Sequence, residues 1–136
     1  MINYKFLEHT ADIKFRAYGK TLNAVFENCA LAFSDTLSRG KKIKSEKKKT
    51  ISLEGKDNES LLYNFLEELI YLLDAEYFVV SKAKVKIKDN KLNGVIYGDR
   101  VDNYKDLDHI KAATYAEMYI KKRKDGKWEA QVVLDV

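Results

Sequence analysis

Lys82-Ala83-Lys84-Val85-Lys86-Ile87-Lys88-Asp89-Asn90 decides how this chain is to be folded on paper. Lysine and apolar side chains alternate strictly, and a period of two marks a strand with one face in a core and the other in water. Asp89-Asn90 reads as a hairpin turn, because Asp and Asn tolerate the left-handed backbone that two-residue hairpins require. The chain then returns through a second strand, residues 92–98. A hairpin imposes antiparallel pairing. The lysine row by itself needs no ligand, since lysines on a strand also discourage edge-to-edge association.

Toward the N-terminus the periodicity changes. Leu61, Leu62, Phe65, Leu66, Leu69, Ile70, Leu72 and Leu73 recur at three- and four-residue steps. This predicts a helix that starts among the capping residues 57–60 and ends near Ala75. Leu22, Val25, Phe26, Cys29, Phe33 and Leu37 predict an earlier helix, with Thr21 as its N-cap and Arg39-Gly40 as its close. Asn23, Glu27 and Asn28 fall off its apolar stripe and are expected to face water. Residues 48–54 alternate as a strand, as do the short runs 4–6 and 13–17. Toward the C-terminus, 99–108 has no period and is expected to be a loop. Residues 110–123 alternate, with Ile110, Ala112, Thr114, Ala116, Met118 and Ile120 on one face. Asp125-Gly126 marks a turn, and 128–136 closes the chain as a strand. Helices set among hairpin-linked strands predict an α+β fold: one domain, 1–136, with a largely antiparallel β-sheet and two main helices packed on one face.

Of the 136 residues, 46% are hydrophobic, enough for a core, and 34% are charged. No run reaches the ~18 apolar residues of a membrane span and no signal-peptide pattern opens the chain, so a cytoplasmic protein with no membrane partner is expected. Cys29 is the only cysteine and lies on an apolar helix stripe, where it reads as a small core residue. The net charge of +4 is unevenly spread, with seven basic residues and one acid in 39–49 and six acids without a base in 57–76. Such segregation either orients a charged partner or is simply solvated surface.

The chemistry available is narrow. Leu7-Glu8-His9-Thr10-Ala11-Asp12 connects the first two strands, and Asp135 lies at the far end of the last one. Were those strands to meet, two Asp side chains, an imidazole and a chain-end carboxylate would share a small volume that suits a hard divalent cation. An Asp at a strand–loop junction is more often a turn or capping residue. There is no CxxC, no HExxH, no glycine-rich phosphate loop and no nucleophile with a positioned base. His109 reads as a surface residue. The basic stretches could touch phosphates, but no aromatic residues interleave with them as a base-stacking platform would need.

Glu8-His9-Thr10-Ala11-Asp12, Arg16-Ala17-Tyr18-Gly19-Lys20-Thr21-Leu22 and the closing Gln131-Val132-Val133-Leu134-Asp135-Val136 resemble the signature segments of the archease family. Val95-Ile96-Tyr97-Gly98 and Ile110-Lys111-Ala112-Ala113-Thr114-Tyr115 extend the resemblance nearly end to end. The resemblance implies a protein cofactor, not an enzyme, that activates the tRNA-splicing RNA ligase by promoting its nucleotide charging (guanylylation) and multiple turnover. It implies a divalent metal ion of the calcium or magnesium/manganese type, held by Asp12, Asp135 and Val136, the last through a backbone or terminal oxygen. It places Lys111 on the ligase-activation surface, with His9 and Glu8 as shaping neighbours. RNA contact would be weak or indirect. Related sequences often carry a histidine where this chain has Ala116, so any role for it is absent. A small basic RNA- or protein-binding chaperone module, without metal-dependent activity, is the alternative.

Overall fold

A computed structural model describes residues 2–136. The chain runs β1 (Tyr4–Leu7), β2 (Ile13–Gly19), α1 (Leu22–Ser38), β3 (Lys47–Glu54), α2 (Asn58–Glu76), β4 (Phe78–Lys88), β5 (Lys91–Arg100), β6 (Ala112–Lys122) and β7 (Trp128–Asp135). A single 3-10 turn, Val101–Asn103, interrupts the expected loop. All strand pairings are antiparallel, as the hairpin signals required. The strands divide into two sheets, ordered β1-β2-β7-β6 and β3-β5-β4. Asp89 and Asn90 both take positive φ, 52° and 61°, and set Lys88 opposite Lys91, so the founding hairpin turns as its sequence demanded.

Each helix is capped as expected. Thr21 Oγ1 accepts from the Ala24 N–H at 3.0 Å. Asp57 Oδ1 accepts from the Ser60 N–H at 2.7 Å, while Ser60 Oγ accepts in return from the Asp57 N–H at 3.1 Å. The core is continuous between helices and sheets: Phe26, Phe33, Phe65 and Leu66 meet Phe15 and Val132 of one sheet and Val85 and Ile96 of the other. Cys29 lies fully inside it, where burial pushes its thiol pKa upward and leaves it unreactive.

Three expectations fail. Asn23, Glu27 and Asn28 do not simply face water. Glu27 Oε2 accepts from the Val85 N–H and Asn23 Oδ1 from the Ile87 N–H, both at 2.9 Å, so α1 satisfies the outward edge of β4. Asn28 Nδ2 donates to the Tyr18 carbonyl of β2. The alternation expected for β6 is also broken. Ile110 and Ala113 are buried while Ala116 is exposed. Between the pairs Thr114–Val133 and Tyr119–Gln131, four residues of β6 oppose Val132 alone. This excess forms a wide bulge that restores Met118 and Ile120 to the core side. Finally, the strands of residues 78–88 and 91–100 begin and end beyond their alternating runs, since Phe78 and Val79 are buried and Asp99 anchors the turn that follows.

Glu27→Ala should destabilise the fold by about 1–3 kcal/mol, the cost of an amide left without its acceptor. Glu27→Gln, which keeps a carbonyl acceptor, should recover most of that loss. Urea unfolding of the two variants beside the parent measures both.

Candidate functional site

The register of β2 with β7 builds this end of the molecule. Ile13 pairs with Leu134, and both turn toward the core. Asp135 follows Leu134 within β7 and so falls on the opposite side of the sheet, while Asp12 stands in the loop one step before Ile13. Antiparallel pairing thus sets side by side the two strand ends next to which Asp12 and Asp135 lie, one near the start of the chain and one near its end. Lys111 joins them through the main chain: its N–H donates to the Asp135 carbonyl at 2.8 Å while its side chain remains exposed. Val136 follows directly and is 38% exposed.

A second group, not foreseen from the sequence, stands beside this one. The β6 bulge arcs over β7, where the Gln131 side-chain amide donates to the Glu117 carbonyl at 2.7 Å. Glu117 itself adopts a φ of 54°. Its carboxylate receives Lys14 Nζ at 2.9 Å and meets His9 Nε2 at 3.0 Å. The other ring nitrogen, His9 Nδ1, is 3.7 Å from Asp12 Oδ2. His9 therefore stands between Asp12 and Glu117, within hydrogen-bond distance of the second only. Lys14, and then His9, hold the Glu117 carboxyl below its ordinary pKa. Glu8 is exposed, and His109 stands at the surface 3.7 Å from Asp74.

Among the described residues, no three His, Cys, Asp or Glu side chains converge as a metal cage. Two carboxylates, from Asp12 and Asp135, with the main-chain oxygen of Val136, would leave most of a coordination sphere to water. Hard cations of the magnesium and calcium kind accept such sets, whereas zinc prefers nitrogen and sulfur from several side chains. The residues present fit the former. Beside Val136, a cleft of about 500 Å³ is walled by Phe6, Ile13, Arg39, Asp108 and His109. Arg39 and Asp108 close one side as an exposed ion pair at 2.6 Å.

The Glu117 carboxylate should titrate below the usual glutamate value of about 4.3. A depressed carboxyl pKa stabilises the folded state above that ordinary value, and the contribution disappears as the pH falls through the lower folded one. In Lys14→Ala the titration of Glu117 should move back upward, which a carbon-detected NMR pH series on the side-chain carboxyl reports directly.

Residues 4–136 match the Archease protein family. Protein archease of Pyrococcus furiosus is 45% identical over 142 aligned positions that cover all of both chains. Protein archease of Methanosarcina barkeri is 41% identical, across 98% of this chain and 95% of that one. The solution structure of Methanobacterium thermoautotrophicum protein 1598 superposes with a TM-score of 0.83 at 35% identity, covering 98% of this chain and 99% of the other. In sequence over its whole length and in fold, this chain belongs to the archease family.

Proposed function

We propose that this protein activates an RNA-splicing ligase and catalyses nothing by itself. Asp12 and Asp135, with the main-chain oxygen of Val136, would hold a divalent ion of the magnesium or calcium kind. Bound there, such an ion would supply positive charge toward the phosphates of a nucleotide in the partner's active site. The observation that supports this reading is the Ile13–Leu134 rung, just beyond which Asp12 and Asp135 follow in their two chains, with the Lys111 N–H bonded to the Asp135 carbonyl.

This chain's own residues have separable tasks in the proposal. Asp12 and Asp135 bind through oxygen. His9 steadies Asp12 through its contact with Glu117, as partners outside the ligand set commonly orient a metal ligand. Lys111 offers a free ammonium beside the acids, fixed at its main chain and mobile at its tip. Its position on a rigid strand end, with the side chain in water, suits insertion into a partner's cleft better than a role in folding. The oxygen-rich, nucleophile-poor end of the sheet is what favours phosphate charge compensation over chemistry performed here.

Purified ligase with nucleotide and magnesium, assayed with and without this protein, tests the reading. Catalytic amounts should raise both ligase–nucleotide adduct formation and the number of joining cycles. Asp12→Ala and Asp135→Ala should each abolish that stimulation while circular dichroism remains that of the parent. Lys111→Ala should change stability by no more than about 0.5 kcal/mol, as exposed substitutions do, yet impair stimulation. Multiple turnover of nucleoside triphosphate or broken RNA by this protein alone, lost in Asp12→Ala, would overturn the assignment.

A further inference from the structure

The outer face of the β3-β5-β4 sheet is a separate feature. Its cross-strand rows follow from the register: Lys48, Tyr97 and Lys82 lie side by side, then Thr50, Val95 and Lys84, then Ser52, Asn93 and Lys86, then Glu54, Lys91 and Lys88. Six of these twelve positions are lysine and one is acidic, and all six lysines are exposed. Among the described residues none of the six is in an ion pair, whereas Lys49, on the opposite side of β3, is bonded to Glu76 at 2.6 Å.

Edge protection does not account for this face. The outward amides of β4 at Val85 and Ile87 are already occupied by Glu27 and Asn23 of α1. Lys91 is on β5, the central strand, where no edge exists. Clustering like charges without partners costs repulsion, which an anionic ligand would relieve.

The composition of the rows distinguishes among anions. Alternate residues on a strand stand about 6.6 Å apart, so Lys82, Lys84, Lys86 and Lys88 spread four charges along a line of roughly 20 Å. That is a track for an extended chain of phosphates, not a pocket for one. Thr50, Ser52 and Asn93 add neutral hydrogen-bonding groups along the middle of the track. Tyr97 stands at one end between two lysines, half-buried, with Lys82 Nζ 5.5 Å from its ring centre. The sequence concealed this interleaving because Tyr97 is remote from both lysines along the chain. A basic groove with a stacking ring is the usual equipment for single-stranded nucleic acid, whereas a membrane-binding face would present exposed apolar side chains between its lysines.

We infer that the outer face of the β3-β5-β4 sheet binds the phosphate backbone of single-stranded RNA, with Tyr97 stacking on one base. This goes beyond the activator reading and uses none of the residues assigned to it. Fluorescence anisotropy with a labelled 12-nucleotide single-stranded RNA tests it on this protein alone, so the outcome is independent of any ligase.

Binding should weaken with salt at a slope of about −0.7 per phosphate engaged. The double variant Lys84→Glu/Lys86→Glu should lose at least tenfold in affinity and flatten that slope by about one or more. Tyr97→Ala should lose about fivefold or more through the missing stack. Lys122→Glu/Lys124→Glu, which makes the same change in net charge away from this face, should lose less than threefold. Thermal melts of all three variants verify folding, and a chemical-shift map of the parent with RNA should concentrate on β3, β4 and β5. Absence of binding, equal losses in the two charge-reversed proteins, or equal competition by polyglutamate or phosphatidylserine vesicles would overturn the inference.

Discussion

Seven residue pairs between β2 and β7, from Ile13–Leu134 to Gly19–Trp128, hold everything else at this end of the molecule in position. The ladder joins the second strand to the last, so residues near both ends of the chain meet on adjacent rungs. Its register is fixed by burial. Phe15 and Ala17 face the core opposite Val132 and Ala130, all four wholly inaccessible or nearly so. A slip of one residue would turn those side chains outward and bury Lys14 and Arg16. It would also shift the strand end beside Asp12 against the one that carries Asp135. The candidate ion site therefore needs no dedicated scaffold, because its alignment comes from the hydrophobic penalty that forbids the slip.

The two helices do more than cover apolar faces. α1 places Glu27 and Asn23 against the amides of β4, and α2 places Glu67 and Glu59 against the Ala113 and Ile120 amides of β6. Each helix therefore finishes the hydrogen bonding of one sheet edge while its leucines and phenylalanines pack in the shared core. Open edges invite association with other chains. Here side-chain acceptors close two of them without adding a strand. On α2 the same acids that gave 57–76 its negative charge include the two that serve β6, so part of that charge is structural. The lysine face of the other sheet has no such internal partner.

The sequence was most informative where structure depends on near neighbours. The lysine alternation and the Asp89-Asn90 turn are local facts, and β4 and β5 formed as expected. Helix stripes and caps behaved likewise. Division into two sheets was not legible, because period-two patterns say which residues share a face but not which strands pair. Glu27 and Asn23 were misread for a related reason: a polar residue beside a strand edge has the same helical phase as one beside water. Glu117 was overlooked because its role depends on the β6 bulge, and counting alternate residues across an insertion reverses the faces. Asp12, Lys111 and Asp135 were picked out by resemblance. The fold adds the Ile13–Leu134 rung beside which Asp12 and Asp135 lie, and the main-chain bond from Lys111 to Asp135.

Two backbone conformations bear on how firmly the site is held. Ala11 has a φ of 65° in the loop that presents Asp12, and Glu117 has a φ of 54° in the bulge. Side chains other than glycine and, less often, Asn or Asp avoid this region at a cost of about 1–2 kcal/mol each. Such residues persist where their surroundings determine them more strongly than their own preference does. The two segments meet through His9 and Glu117, with Lys14 bonded to the same carboxylate. Relaxing Ala11 would reorient the loop and pull His9 from Glu117, and relaxing Glu117 would withdraw its side chain from His9 and Lys14. Each strained residue is thus held by the contact that the other presents. Asp12 follows Ala11 in the same loop and lies 3.7 Å from the same imidazole. A loop seated only by its own preferences would leave that carboxylate to wander; one clamped against the bulge presents it to a partner with much of the ordering already done.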